Sequence, residues 1–140
     1  MARRMGFTLV ELMVVAIIVA ILASVAVPLM ASNKRRAMAT EAESAMGSIR
    51  TALRVLRAET DVYNRRSDGT AIAAAGNCRD LPGVSAPDLD GRYWNQDCYT
   101  YKNLTTNDYT LVADGVATGQ TVGIHIELTE GGTFLRAGLF

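Results

Sequence analysis

Twenty consecutive residues, Leu12 to Ala31 (LMVVAIIVAILASVAVPLMA), carry no charge. As a helix they span about 30 Å, the thickness of a bilayer core. Their apolar side chains are spread all round the helix with no polar face, which suits lipid or a bundle of like helices. The folded part of a 140-residue chain could not cover such a helix. The chain therefore divides into an apolar N-terminal segment and one small domain.

Two residues give this segment more than anchoring capacity. Glu11 lies at its head, and a carboxylate at a membrane costs more the deeper it sits, which marks it as a functional candidate. The alternative is a carboxylate solvated at the interface. Pro28 lies inside the run, where it removes a backbone donor and crowds the preceding turn, so a kink or local melting of the helix is expected there.

The apolar run alone leaves two plain readings open. One is a simple membrane anchor. The other is a secretory signal peptide, with MARR as its charged start, Leu12–Ala23 as its core and Ser24-Val25-Ala26 as its cleavage site. Glu11 at the head of the core counts against the signal peptide. So does the helical pattern that resumes directly after Pro28.

The stretch Gly6-Phe7-Thr8-Leu9-Val10-Glu11-Leu12, continuing through the apolar run to Pro28, resembles the class III signal of type IV pilins and type II secretion pseudopilins. Met5 precedes the glycine where the family often has a basic residue; here the basic residues are Arg3 and Arg4. The resemblance implies cleavage between Gly6 and Phe7 by a membrane prepilin peptidase, and methylation of the new Phe7 amine. It implies that Glu11 of one subunit pairs with the positive Phe7 amine of a neighbour, offsetting the cost of a buried charge and setting axial register. It further implies a homo-oligomeric helical filament, an assembly platform with its ATPase, and residence in membrane lipid before assembly. In that scheme Pro28 lets the helix bend or stretch as it packs. The location implied is the bacterial inner membrane, followed by an extracellular pilus or a periplasmic pseudopilus. Orientation follows from the resemblance, because Arg3 and Arg4 on one side and Lys34, Arg35 and Arg36 on the other do not decide it.

Beyond the basic cluster, apolar residues recur at Met38, Ala42, Ala45, Ile49, Leu53, Leu56 and Tyr63, mostly in steps of three or four. That is one face of an amphipathic helix. One long helix is expected from about Phe7 to Tyr63. Residues 64–91 read as loop, with a possible short helix at Thr70–Ala75. Strand patterns follow at Tyr99-Thr100-Tyr101, Tyr109–Ala113, Val122–Leu128 and Thr133–Arg136, with turns at Asn107-Asp108 and Glu130-Gly131-Gly132. The expected fold is α+β: a long N-terminal helix whose outer half packs on an antiparallel sheet of three or four strands. The expected parts are a leader at 1–6, the apolar half-helix at 7–31, the amphipathic half at 32–63 and a head at 64–140.

In an exported chain, Cys78 and Cys98 are expected to form one disulfide, worth about 3 kcal/mol for a loop of roughly 20 residues. The alternative is two free buried thiols. Family disulfides often close a C-terminal loop, whereas both cysteines here precede most of the strand patterns.

Fourteen cations balance fourteen acids, so no net basic surface points to nucleic acid. Two cysteines and one histidine do not make a Cys/His metal set. His125, in an alternating stretch, reads as a strand residue on the solvent face. No Ser/His/Asp set stands out, so the expectation is a non-enzyme without cofactors or a metal.

Three functions compete. The first is a pilus subunit serving adhesion, twitching or DNA uptake. The second is a type II secretion pseudopilin. The third is a small secreted or tethered binding domain. Major pseudopilins usually carry an acidic calcium loop near the C-terminus, while Thr129–Phe140 holds only Glu130. That difference favours the pilus.

Overall fold

A computed structural model describes residues 7–115 and 121–138. The chain separates into two compact units, Met1–Lys34 and Arg35–Phe140. Helix α1 covers Leu9–Thr60, starting two residues later and ending three earlier than the pattern implied. In the first unit, the described residues are helical from Leu9 and exposed throughout.

In the second unit, α1 lies against an antiparallel sheet. The strands are β1 (Gly76–Asn77), β2 (Tyr99–Lys102), β3 (Thr110–Asp114), β4 (His125–Thr129) and β5 (Phe134–Ala137). Their order is β1-β2-β3-β4-β5, so each strand pairs with its neighbour in sequence. Four of the five match strand patterns in the sequence. The fifth, β1, is two residues long and has no alternating pattern of its own; it is held by pairing with Tyr101 and Thr100.

The core forms where the apolar stripe of α1 meets the inward rows of the sheet. Met38, Ala42, Ile49, Leu53, Leu56 and Tyr63 are buried as the spacing predicts, together with Ala39 and Met46; Ala45 is only partly buried. Opposite them lie Tyr99, Tyr101, Tyr109, Leu111, Ile126 and Leu128. Each fully buried aliphatic side chain contributes about 1.5–3 kcal/mol of transfer energy. The β4–β5 turn closes as expected: Gly132 N donates to Thr129 O, and Thr129 N to Thr133 O. Gly132 has φ +91°, a conformation that favours glycine.

The helix anticipated at Thr70–Ala75 is absent. The segment pairs back on the preceding chain instead: Ile72 N donates to Asn64 O, Arg66 N to Thr70 O, and Arg65 bridges Ala71. Six residues are too few to offset helix nucleation when pairing partners lie alongside. At Pro28 the helix continues without a break, so local melting does not occur in this structure. Proline forfeits one backbone bond there, and its neighbours hold the helical path.

The expected disulfide is also corrected. Cys78 and Cys98 are both buried and both free. Cys98 Sγ lies 3.1 Å from Asn95 Oδ1, to which its thiol donates. Burial pushes the Cys78 thiol up to about 12, which keeps it in the unreactive protonated form.

Between β1 and β2, three short 3-10 turns (Cys78–Asp80, Ala86–Leu89 and Gln96–Cys98) carry the chain across the head. Glu41 anchors this segment, its Oε1 accepting the backbone amides of Tyr93 and Trp94 at 2.8 and 3.0 Å.

Candidate assembly site at the N-terminal helix

The N-terminus of α1 is closed by a reciprocal pair. Thr8 is the N-cap and Glu11 the third helical residue. The Thr8 backbone N–H and hydroxyl both donate to Glu11 Oε2 at 2.8 Å, and the Glu11 N–H donates back to Thr8 Oγ1 at 3.3 Å. This is a capping box, in which side chains satisfy amides that the first helical turn leaves without partners. Such a cap is worth about 1 kcal/mol, and a carboxylate is further favoured by the positive end of the helix dipole.

Sequence reasoning singled out Glu11 and missed Thr8. The signal was present: Thr-x-x-Glu directly before an apolar run is the pattern of a capping box. The pairing alters the expected role of Glu11. Its carboxylate is directed first at its own helix end. Among the described residues Oε1 accepts no hydrogen bond, which leaves one oxygen for a second donor.

Phe7 precedes the cap and is 80% exposed. In the uncleaved chain its nitrogen is a peptide amide; only removal of residues 1–6 makes it a cation able to meet Glu11 of another copy. Gly6 and the rest of the expected leader lie outside the described residues. Beyond the cap, every large apolar residue from Leu9 to Met30 is at least half exposed. The Ser24 hydroxyl donates to Ile21 O at 2.7 Å, so the one polar side chain in the run is satisfied within the helix. The segment is long and apolar enough to cross a membrane.

The remaining candidates are not brought together with this site. Cys78 and Cys98 belong to the core of the head. His125 sits partly exposed on β4, with Nδ1 3.4 Å from Asp114 and Nε2 3.1 Å from Glu127. Among the described residues no three His, Cys, Asp or Glu side chains are grouped to hold a metal ion.

Comparison with known proteins agrees with this geometry. Residues 1–27 match the family described as "Prokaryotic N-terminal methylation motif". The type II secretion system core protein G of Vibrio cholerae is 30% identical over 137 residues, covering 90% of this chain and 92% of that protein. The protein of the same description from Escherichia coli is 31% identical over 117 residues, covering 81% of this chain and 74% of that protein. The one from Pectobacterium carotovorum is 37% identical over 67 residues, covering 48% and 43%. No solved structure matches. A prepilin-type signal, a capped apolar helix, an α+β head and similarity along nearly the whole chain place this protein in the type IV pilin and type II secretion pseudopilin family.

Proposed function

We propose that the chain is a pseudopilin, a structural subunit of a type II secretion filament. The observation that carries this reading is the extent of similarity to core protein G. The N-terminal signal is shared by pili and pseudopili, but the match covers 90% of the chain and so includes the head. The sequence alone favoured a pilus because Thr129–Phe140 holds a single acid. That argument rests on one loop, and similarity over 90% of the chain outweighs it.

The mechanism follows from the charges at the N-terminus. The apolar helix holds the precursor in the inner membrane. Cleavage after Gly6 frees the Phe7 amine, and methylation keeps it cationic. The amine of one subunit then meets Glu11 of the next, whose carboxylate is already oriented by Thr8. Pairing the two charges offsets the desolvation cost of each and fixes register. Transfer from lipid to filament is feasible because the apolar surface stays out of water in both places. The filament occupies the periplasm and works with the secretion platform and its ATPase.

Deletion of the gene in its native host tests the reading. The expected result is loss of exoprotein secretion with surface pili and twitching intact. Intact secretion with lost pili would overturn it in favour of a pilus subunit. A mature N-terminus at Val27, rather than at methylated Phe7, would overturn both.

A further inference from the structure

The apolar run ends at Ala31, and Lys34, Arg35 and Arg36 follow after Ser32 and Asn33. All five of these residues are helical and exposed. The chain holds no acid between Glu11 and Glu41, and Glu41 is committed to the Tyr93 and Trp94 amides. Among the described residues none of the three cations is paired with a carboxylate. Arg35 Nη1 donates to the Gly138 carbonyl at 2.7 Å, and its guanidinium keeps further N–H groups to give. Three like charges on consecutive residues repel one another, and an anion from outside the chain would relieve that.

Their spacing from the apolar run identifies the anion. Lys34 lies about 4.5 Å along the helix beyond Ala31, and Arg36 about 7.5 Å. With the run filling a core of about 30 Å, these residues fall in the headgroup layer, which is roughly 5–7 Å thick on each side. Successive residues turn by about 100°, so the three cations fan across the helix surface and face several lipids at once. No Trp or Tyr precedes Tyr63, so the aromatic anchors usual at a membrane edge are missing here. Cations on the outward side also run against the usual charge asymmetry of membrane segments, a cost that headgroup contacts offset.

We propose that Lys34, Arg35 and Arg36 bind the phosphate groups of anionic phospholipids at the outer surface of the inner membrane and hold the subunit there until it is assembled. The inference rests on the membrane-held precursor of the reading above and names the lipid that this precursor takes. Glu11 lies about 35 Å from Lys34 along the helix, a length between that of the bilayer core and that of the whole bilayer. Cations held among phosphates on one side therefore place Glu11 at the opposite edge of the core, where its charge costs least.

Lipid binding by the full chain tests this. The chain is purified in a non-ionic detergent and titrated with phosphatidylglycerol, phosphatidylcholine or inorganic phosphate, and bound lipid is counted by native mass spectrometry. Each cation near an anionic surface is worth about five-fold in binding, so phosphatidylglycerol is expected to bind at least about ten-fold more tightly than phosphatidylcholine. Replacing Lys34→Gln, Arg35→Gln and Arg36→Gln together should abolish that preference. Arg35→Lys with Arg36→Lys keeps the charge and should retain it. Arg54→Gln, Arg65→Gln and Arg92→Gln together remove three exposed cations from the head and should also leave it unchanged. Equal binding of the two lipids by the parent chain would overturn the inference while leaving the subunit reading intact, and that comparison needs no variant to fold. An unchanged preference in the Lys34–Arg36 glutamine variant, or its loss in either control, would do the same. So would displacement of phosphatidylglycerol by inorganic phosphate at equal concentration, which would make the cations a site for a free anion. Release of the parent chain from vesicles by alkaline carbonate would overturn the membrane-held precursor and the inference together.

Discussion

Trp94 is fastened to the same turn of α1 that carries Glu41: its backbone N–H donates to Glu41 Oε1 at 3.0 Å, and its indole Nε1 to the Met38 carbonyl at 2.7 Å. One carboxylate thus satisfies two loop amides, and one side chain ties the loop to the helix backbone while remaining 2% exposed. Gly91 follows from the same contact, because a Cβ there would lie 2.2 Å from Glu41 Oε1.

Glu41→Ala leaves the Tyr93 and Trp94 amides without that partner and is expected to cost about 2 kcal/mol. Glu41→Gln keeps an acceptor oxygen and is expected to cost less than half as much. Trp94 is the single tryptophan, so urea unfolding followed by its fluorescence reads the head directly. Equal costs for the two variants would show that the amide contacts carry no stability.

The free, buried thiols give a chemical expectation. With Cys78 held protonated by burial and Cys98 bonded to Asn95, neither is expected to react with iodoacetamide at pH 8 in the folded chain. After denaturation without reductant, two alkyl groups should be added, as counted by intact mass. No addition until a reductant is supplied would mean that the disulfide expected from sequence does form.

Much of the head was legible because its periods are regular. The steps from Met38 to Leu56 locate the buried face of α1, and alternation at Ile124, just before β4, and at Ile126 and Leu128 within it locates the inward row there. Short elements fixed by partners were not legible. β1 consists of Gly76 and Asn77 and exists only through its pairing with β2, while Thr70 and Ile72 pair back on Arg66 and Asn64, and Ala71 bridges Arg65, despite the helical preference of the alanines there. At the candidate site Glu11 was found through its charge, because an acid at the head of an apolar run is conspicuous. Thr8 is uncharged and was passed over, although its role depends only on spacing.

Acid is expected to weaken the outer face of the sheet through Glu127. The Lys102 ammonium, and then His125, hold its carboxyl below the ordinary range. A depressed carboxylate contributes stability above its unfolded value of about 4.3, and that contribution is lost as pH falls through the folded value. Lys102 is 45% exposed, so the pair is worth no more than about 1 kcal/mol. The melting temperature should fall on acidification below about pH 4.3, and fall less steeply in Glu127→Gln. Parallel pH profiles for the two proteins would remove Glu127 as a cause.

Glu11→Gln separates the two tasks of that side chain. Glutamine accepts hydrogen bonds from the Thr8 amide and hydroxyl as glutamate does, since either residue completes a capping box. The helix end should therefore stay closed, and helicity in detergent micelles measured by circular dichroism should match that of the parent. Cleavage after Gly6 should also persist, because the scissile bond lies outside the box. What is lost is the negative charge that meets the Phe7 amine of another copy. A desolvated cation without its partner costs several kcal/mol, so filament yield should fall by at least about a hundred-fold. Thr8→Val supplies the contrast: it keeps the charge and removes the hydroxyl, so it should loosen the cap by about 1 kcal/mol with a smaller loss of assembly. If Glu11→Gln assembles as well as the parent, Glu11 serves only as a cap, and the charge-pairing mechanism is wrong.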